Sequence, residues 1–203
     1  MNIIMKELPS FRNQVFLIKY NHKYSIIKKY RNEINMTTEL LVLTYLKNQN
    51  ISVPRIKNVT YSTIILEYLD GETINSLVEK LVISDWIDAL ALWFSSLHNL
   101  KTNDKSLLKK DVNLKNFIYH QNKVYGLDFE EIAYGCYLED LALVVYYILT
   151  NKPELTLEKK LMVKRFLIAY QFYSGSKIDK LTNHLKKAKR SVDNWRRLYR
   201  KKE

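Results

Sequence analysis

The sequence of 203 residues predicts an α+β fold with two lobes. Residues 1–69 contain several short stretches rich in β-branched and aromatic residues, which are typical of strands, and only one stretch with helical periodicity. After Gly71 the apolar residues recur mainly at helical spacing. We therefore expect a small antiparallel β-sheet lobe with one helix over residues 1–69, followed by a mainly helical lobe over residues 70–203.

The first lobe begins with three predicted strands, whose sequences are NIIMKEL, QVFLIKYN and KYSIIKKY. A turn at Asn21-His22 joins the last two. A helix is predicted to start at Thr38, with Thr37 or Thr38 as its N-cap, and to end near residues 47–50. Two further extended stretches follow, ISVPRIKNV and STIILEYLDGETI, with a turn at Asp70-Gly71.

The second lobe should consist of helices interrupted by one hairpin. Apolar periodicity predicts helices over residues 74–82, 84–100, 139–150 and 155–173, and Ser84 is the predicted N-cap of the second. Two short strands, NFIYH and KVYGLDF, flank a turn at Gln121-Asn122. A last helix carries Trp195 on an apolar face, and we expect that face to pack on the other helices.

Composition and charge narrow the class of protein. The single cysteine, Cys136, cannot form an internal disulfide, and no apolar run approaches the roughly 20 residues of a membrane helix, so we expect a soluble cytoplasmic protein. Of the net charge of +12, residues 176–203 supply +8, with 11 Lys and Arg against three acids. A basic C-terminal helix could contact an anionic surface such as a membrane, lipopolysaccharide or RNA.

Residues 109–131, KKDVNLKNFIYHQNKVYGLDFEE, hold the most suggestive polar residues. Asp111 and Asn116 lie five residues apart, and Asp128 follows inside a short apolar stretch. A hairpin would fold Asn116 and Asp128 back toward one end, where oxygen ligands could converge on a metal. Taken alone, however, an Asp and an Asn at this spacing are more often ordinary loop residues.

The order of the motifs over residues 3–150 changes that interpretation, because it resembles the protein-kinase-like fold and, within it, the aminoglycoside and choline phosphotransferase branch. The chain also loosely resembles small kinase-like proteins that act on lipopolysaccharide core sugars. The motifs, in order, are Lys28, Glu39, ILEYLDG, SSLHNL, DVNLKN, LDFE and EDLA.

The resemblance implies a site for ATP and Mg²⁺. Asp111 would be the catalytic base that accepts the proton of the attacking hydroxyl, and Asn116 and Asp128 would be the metal ligands. The hinge Glu67-Tyr68-Leu69 would bind the adenine edge through main-chain groups of Glu67 and Leu69.

Two further assignments leave alternatives. Lys28, or its neighbour Lys29, would bind phosphate and pair with Glu39, for which Glu33 is a weaker competitor.

Two more residues of the motifs are interpreted from their positions on predicted helices. His98, at the end of its helix, is interpreted as structural. Asp140 is either an anchor of the catalytic loop or an acid of a helix first turn.

The chain departs from the family pattern in three places. No glycine-rich phosphate loop is present, because ELPSFRNQ occupies its position. The usual His-Gly-Asp is Lys109-Lys110-Asp111, and Leu114 replaces a proline of the catalytic loop. Glu130 stands where Asp-Phe-Gly has its glycine. The first departure bears on the affinity for nucleotide, and the other two argue mainly against a regulated protein kinase.

Together these features favour an ATP- and Mg²⁺-dependent phosphotransferase. Its acceptor would be a hydroxyl of a small molecule or glycan, such as an amino-sugar, choline or a lipopolysaccharide-type sugar. The alternatives are a small atypical protein kinase, or a catalytically weak kinase-like module that binds an anionic partner through its basic tail. The sequence indicates no oligomeric state.

Overall fold

A computed structural model describes residues 4–10 and 12–200, with the side chains of residues 195–200 excepted, and confirms the α+β class. The described residues form two compact units. The first comprises the described part of Met1–Gly71 together with Tyr125–Glu130, and the second comprises Glu72–Val124 and the described part of Glu131–Glu203.

The first unit contains a five-stranded antiparallel sheet in the order β1-β2-β3-β5-β4. The β2–β3 hairpin turns at Asn21 and His22, as predicted, and both have a positive φ, which matches the right-handed twist of a tight hairpin. In this strand order β3 is the central strand of the sheet. The strands are β1 (Ile4–Leu8), β2 (Gln14–Tyr20), β3 (Lys23–Lys29), β4 (Ile56–Thr60) and β5 (Thr63–Glu67).

The helix of the first unit, α1 (Glu33–Asn48), begins five residues before the predicted start at Thr38. Asn32 is the N-cap, and its side chain accepts hydrogen bonds from the main-chain N–H groups of Ile34 and Asn35. The predicted N-cap at Thr37 or Thr38 was wrong because this asparagine satisfies the first N–H groups one turn earlier. The buried face consists of Met36, Glu39, Leu43 and Leu46.

The second unit contains five helices and several short strands. The predicted hairpin forms, with positive φ at Gln121 and Asn122. The strands β7, β8 and β11 were not predicted, because strands of two to four residues are too short to show an alternating pattern. The helices are α2 (Ile74–Glu79), α3 (Trp86–His98), α4 (Leu138–Thr150), α5 (Leu157–Ser174) and α6 (Leu181–Arg200). The strands that begin in this unit are β6 (Glu72–Thr73), β7 (Lys101–Thr102), β8 (Lys105–Leu108), β9 (Phe117–His120), β10 (Lys123–Gly126) and β11 (Ala133–Gly135).

The start of α3 differs from the predicted cap at Ser84. Asp85 occupies the N-cap position but makes no side-chain capping bond. Its carboxylate instead accepts a 3.1 Å hydrogen bond from Arg165 of α5. The Asp85 carboxylate is therefore used between the two helices and not as a local cap.

Aromatic packing between α3 and α5 forms the core of the second unit. Phe94 is fully buried and packs edge-on against Phe166, with ring centroids 6.3 Å apart. It also packs against Phe117 at 5.3 Å. Because Phe117 directly follows Asn116, this core fixes the end of the loop that carries the predicted site residues.

The last helix, α6, packs its apolar face on α4, as predicted, through the buried Leu181, Ala188 and Val192. The side chain of Trp195 lies outside the described residues. Across the part of the chain that the structure describes, no helix is both long and apolar enough to cross a bilayer. Exposed basic residues of α6 are Lys186, Lys187, Lys189 and Arg190.

We predict that Phe94→Ala lowers the free energy of unfolding by about 3–5 kcal/mol, because it leaves a cavity in a closely packed aromatic core. Phe172→Ala on α5 is the matched control, since this ring is 81% exposed and its loss should cost less than about 0.5 kcal/mol. Urea unfolding followed by tryptophan fluorescence measures both. Equal losses in the two variants would contradict this account of the core.

Candidate functional site

Lys28 lies on β3, the central strand of the first unit, and its side chain is buried. Lys29 faces the opposite side of the strand and is exposed, because successive side chains alternate across a sheet. In the strand register Lys28 lies opposite Val15 on one side and Ile64 on the other. Of the two candidate lysines, Lys28 is thus the one held by the structure.

The Lys28 ammonium contacts three carboxylates. Its Nζ lies 2.5 Å from Glu39 Oε2, 2.9 Å from Asp128 Oδ1 and 3.0 Å from Glu130 Oε1. Burial alone would lower the pKa of Lys28, but the attraction of Glu39 and Asp128 outweighs it and raises that pKa above its ordinary value. Lys28 therefore stays charged at neutral pH. We call these four residues the Lys28 cage.

A second donor fixes Glu39 within the cage. The hydroxyl of Tyr30 donates a 2.6 Å hydrogen bond to Glu39 Oε2, the same oxygen that contacts Lys28. Burial and the neighbouring Glu39 charge raise the pKa of Tyr30, so this hydroxyl keeps its proton. Glu33, by contrast, is exposed in the first turn of α1. Glu39 is therefore the partner of Lys28.

The donor set of the cage suits a hard divalent cation, since one carboxylate oxygen from each of Glu39, Asp128 and Glu130 lies within 4.8 Å of the others. The Lys28 ammonium contacts all three, however. The side chains of Glu39 and Glu130 are only 2% and 3% exposed, whereas that of Asp128 is 41% exposed. Asp128 is therefore the carboxylate that a cation could reach.

The predicted hinge lies at the end of β5 in the first unit. The main-chain N–H of Glu67 donates to the carbonyl of Arg55 at 2.9 Å, and its carboxylate accepts from the Arg55 N–H at 2.9 Å. Leu69 is buried, and its carbonyl accepts a bond from Gly71. Because Glu67 uses its own N–H internally, any adenine contact there would involve other main-chain groups.

In the second unit, Asp111 and Asn116 are bonded to each other. Asn116 Nδ2 donates a 2.9 Å hydrogen bond to Asp111 Oδ2, and the main-chain N–H of Asn113 lies 3.3 Å from Asp111 Oδ1. Both side chains are half-buried. A short 3₁₀ turn over Leu114–Asn116 brings the two residues together. This arrangement orients the Asp111 carboxylate and turns the Asn116 amide so that Oδ1 can ligate a metal.

Asp140 holds the loop that carries Asp111. Its fully buried carboxylate accepts from the main-chain N–H of Lys109 at 2.6 Å and of Lys110 at 3.1 Å. His98 Nε2 lies 3.3 Å from the same carboxylate, while His98 Nδ1 lies 2.9 Å from the hydroxyl of Tyr170. Of the two interpretations left open by the sequence, Asp140 is an anchor of the loop, and His98 is part of its buried support.

Two residues that sequence reasoning did not assign also belong to these clusters. Lys109 is fully buried, and its Nζ donates a 3.1 Å hydrogen bond to the main-chain carbonyl of Asp111. Glu130 contacts Lys28 and accepts from the side-chain amides of Asn13 and Asn35. The only sequence signal for either was its departure from the family pattern, which does not reveal burial.

Comparison with known proteins identifies the fold. No family model matches the chain, and no curated protein sequence matches it. The ADP-bound aminoglycoside phosphotransferase APH(2'')-Ib superposes with a TM-score of 0.69 at 16% identity, covering 95% of this chain and 83% of that one. The choline kinase from Cryptosporidium parvum Iowa II gives a TM-score of 0.64 at 16% identity, covering 92% and 78%.

A third structure of this kind contains a nucleotide together with a divalent cation. Amicoumacin kinase hAmiN, in complex with AMP-PNP, Ca²⁺ and Ami, gives a TM-score of 0.69 at 14% identity, and the match covers 89% of this chain and 77% of that one. The chain therefore has the protein-kinase-like fold in the form found in aminoglycoside phosphotransferases and choline kinases.

We predict that Lys28→Met lowers the free energy of unfolding by about 3–5 kcal/mol at pH 8, because three crowded carboxylates lose their cation. Without the ammonium the three carboxylates repel one another, and this penalty exists only while they carry negative charge. The loss relative to the wild type should therefore shrink toward pH 5. Chemical unfolding at both pH values measures this, with Lys29→Met as the exposed control. A cost independent of pH would count against the cage.

A second prediction concerns Lys110, whose φ of +63° lies in the left-handed region. Lys110→Gly relieves this strain, whereas Lys110→Ala keeps it, and both remove the exposed contact with Glu139. We expect the glycine variant to be about 1 kcal/mol more stable than the alanine variant. Thermal unfolding of the pair measures the difference. A glycine variant no more stable than the alanine variant would show that the strain is negligible.

Proposed function

We propose that this protein is an ATP- and Mg²⁺-dependent phosphotransferase that transfers the γ-phosphate to a hydroxyl group of a small molecule or glycan. The observation that carries the proposal is the Lys28 ammonium held between Glu39 and Asp128, at 2.5 Å and 2.9 Å. A lysine, a helix glutamate and an Asp-Phe aspartate in contact match the phosphate-binding lysine and its partners in kinases. Asp111 and Asn116, which are hydrogen-bonded to each other, would supply the other side chains that this chemistry needs.

Lys28 would bind and orient phosphate oxygens of ATP. The buried ammonium is held by Glu39, whose carboxylate Tyr30 holds in turn, so it needs no rearrangement before it attracts an anion and its stabilising effect is preorganised. The hinge main chain, including Leu69, would hold the adenine edge. Phosphoryl transfer requires mainly this positioning and the neutralisation of charge.

Asp111 would act as the general base. Its carboxylate is oriented through Asn116 at one oxygen and Asn113 at the other. The proton of the acceptor hydroxyl would move to an Asp111 carboxylate oxygen as the hydroxyl oxygen forms its bond to the γ-phosphorus. The bond between that phosphorus and the bridging oxygen breaks, and ADP leaves with the bonding electrons.

Asp128 and Asn116 would hold the magnesium ion. Carboxylate and amide oxygens are the donors that Mg²⁺ prefers, and the 41% exposure of Asp128 makes it accessible. When bound, the ion supplies positive charge that neutralises phosphate oxygens.

The structural neighbours support the proposed acceptor class. APH(2'')-Ib is an aminoglycoside phosphotransferase, and another protein of this fold is a choline kinase. Both act on small molecules that carry a hydroxyl group. An amino-sugar, an amino-alcohol such as choline, or a related glycan is therefore the acceptor to test first.

We predict that Asp111→Asn lowers kcat by about a hundred- to ten-thousandfold, because it removes the base, while the affinity for ATP stays unchanged. Coupled ADP-release assays with amino-sugars, choline and glycans measure turnover, and calorimetry measures ATP binding. The control is Asp104→Asn, which changes an exposed acid in the turn between β7 and β8. Unimpaired turnover in the Asp111 variant would exclude its role. A wild type that neither binds ATP nor turns it over would overturn the proposed function.

A further inference from the structure

The connection between β1 and β2 contains no glycine. Its sequence from residue 9 to residue 13 is PSFRN, and it stands where kinases carry a glycine-rich loop that covers the phosphates of ATP. Glycines let main-chain N–H groups approach phosphate closely, because no Cβ stands between them. A connection without glycine needs another donor if it is to bind phosphate.

Glu130 ties this connection to the rest of the first unit. Its Oε1 accepts a hydrogen bond from Asn13 Nδ2 and lies 3.0 Å from Lys28 Nζ. Its Oε2 accepts a 2.8 Å hydrogen bond from Asn35 Nδ2 on α1. Both the Asn13 residue and the Glu130 side chain are buried. The carboxylate therefore joins the β1–β2 connection, β3 and α1 at one point.

Arg12 lies beside the same carboxylate but is held differently. Its Nη1 is 4.0 Å from Glu130 Oε2, which is an electrostatic contact and longer than a hydrogen bond. The Arg12 side chain is 53% exposed, in contrast to the buried anchor next to it. A guanidinium is always charged and presents several donors in a planar fork that matches phosphate oxygens. Arg12 therefore places a half-exposed cation next to the buried Asn13 and beside the Lys28 cage.

We propose that Arg12 binds the polyphosphate of the nucleotide in place of the missing glycine-rich loop, and that Asn13 and Glu130 fix the segment that carries it. The inference rests on the proposed function, since it concerns the same nucleotide. Here Arg12 is a binding residue, and Asn13 and Glu130 are positioning residues. In this proposal Arg12 does not contact the adenosine part of the nucleotide.

Calorimetry with Mg²⁺ present, using adenosine, AMP, ADP and ATP, tests this directly. Arg12→Gln should weaken ATP binding about ten- to a hundredfold, weaken ADP less, and leave adenosine unchanged. Arg12→Lys keeps the charge and should recover part of the ATP affinity. Arg31→Gln removes an exposed charge elsewhere in the first unit and is the matched control. Asn13→Ala should also weaken ATP binding, by less than Arg12→Gln does, and the loss should again depend on the phosphates of the ligand.

The outcomes separate the inference from the function. Wild-type binding of ATP together with unchanged ATP affinity in Arg12→Gln would overturn the role of Arg12 while the proposed function stands. An equal loss for adenosine and ATP would show a general change in the fold and would also overturn it. If Asn13→Ala leaves ATP affinity unchanged, the anchoring role is wrong. A wild type that binds no nucleotide would overturn the function and the inference together.

Discussion

The buried Lys28 ammonium is the interaction on which the first unit depends. It joins three segments that are distant in sequence: β3, α1 through Glu39, and residues 128–130. Neither the lysine nor Glu39 could be buried alone, because an unpaired charge in the interior is costly. Their mutual contact removes that cost and explains why residues 125–130 belong to the first unit although they follow a long stretch of the second.

The second unit solves a related problem with main-chain donors instead of an ammonium. The buried carboxylate of Asp140 accepts hydrogen bonds from two main-chain N–H groups and lies close to a histidine nitrogen. The loop before Asp111 is therefore fixed where it leaves β8. The aromatic core under Phe117 fixes the other end of that loop. Asp111 and Asn116 therefore face each other between two rigid supports, and this geometry tolerates the strained backbone of Lys110.

Local patterns predicted most elements, and the site assignments that they left open depended on contacts between distant residues. The β2–β3 hairpin and the long helices followed from alternation and helical periodicity, which depend only on neighbouring residues. Knowledge of which side chains are buried was needed to choose between Lys28 and Lys29 and to recognise Asp140 as an anchor. A local sequence pattern does not contain that knowledge. Glu130 is the clearest case, because an acidic residue is rarely buried unless distant groups such as Asn35 and Lys28 surround it.

The charges of the Lys28 cage also bear on the proposed nucleotide site. Three carboxylates against one ammonium leave a formal charge of −2, which would repel a polyphosphate. Arg12 beside Glu130 reduces this excess to −1. A divalent cation at Asp128, whose carboxylate is the accessible one, would change its sign. In the proposed site, a cation on the β1–β2 connection would offset part of the negative charge that Glu130 adds to the cage.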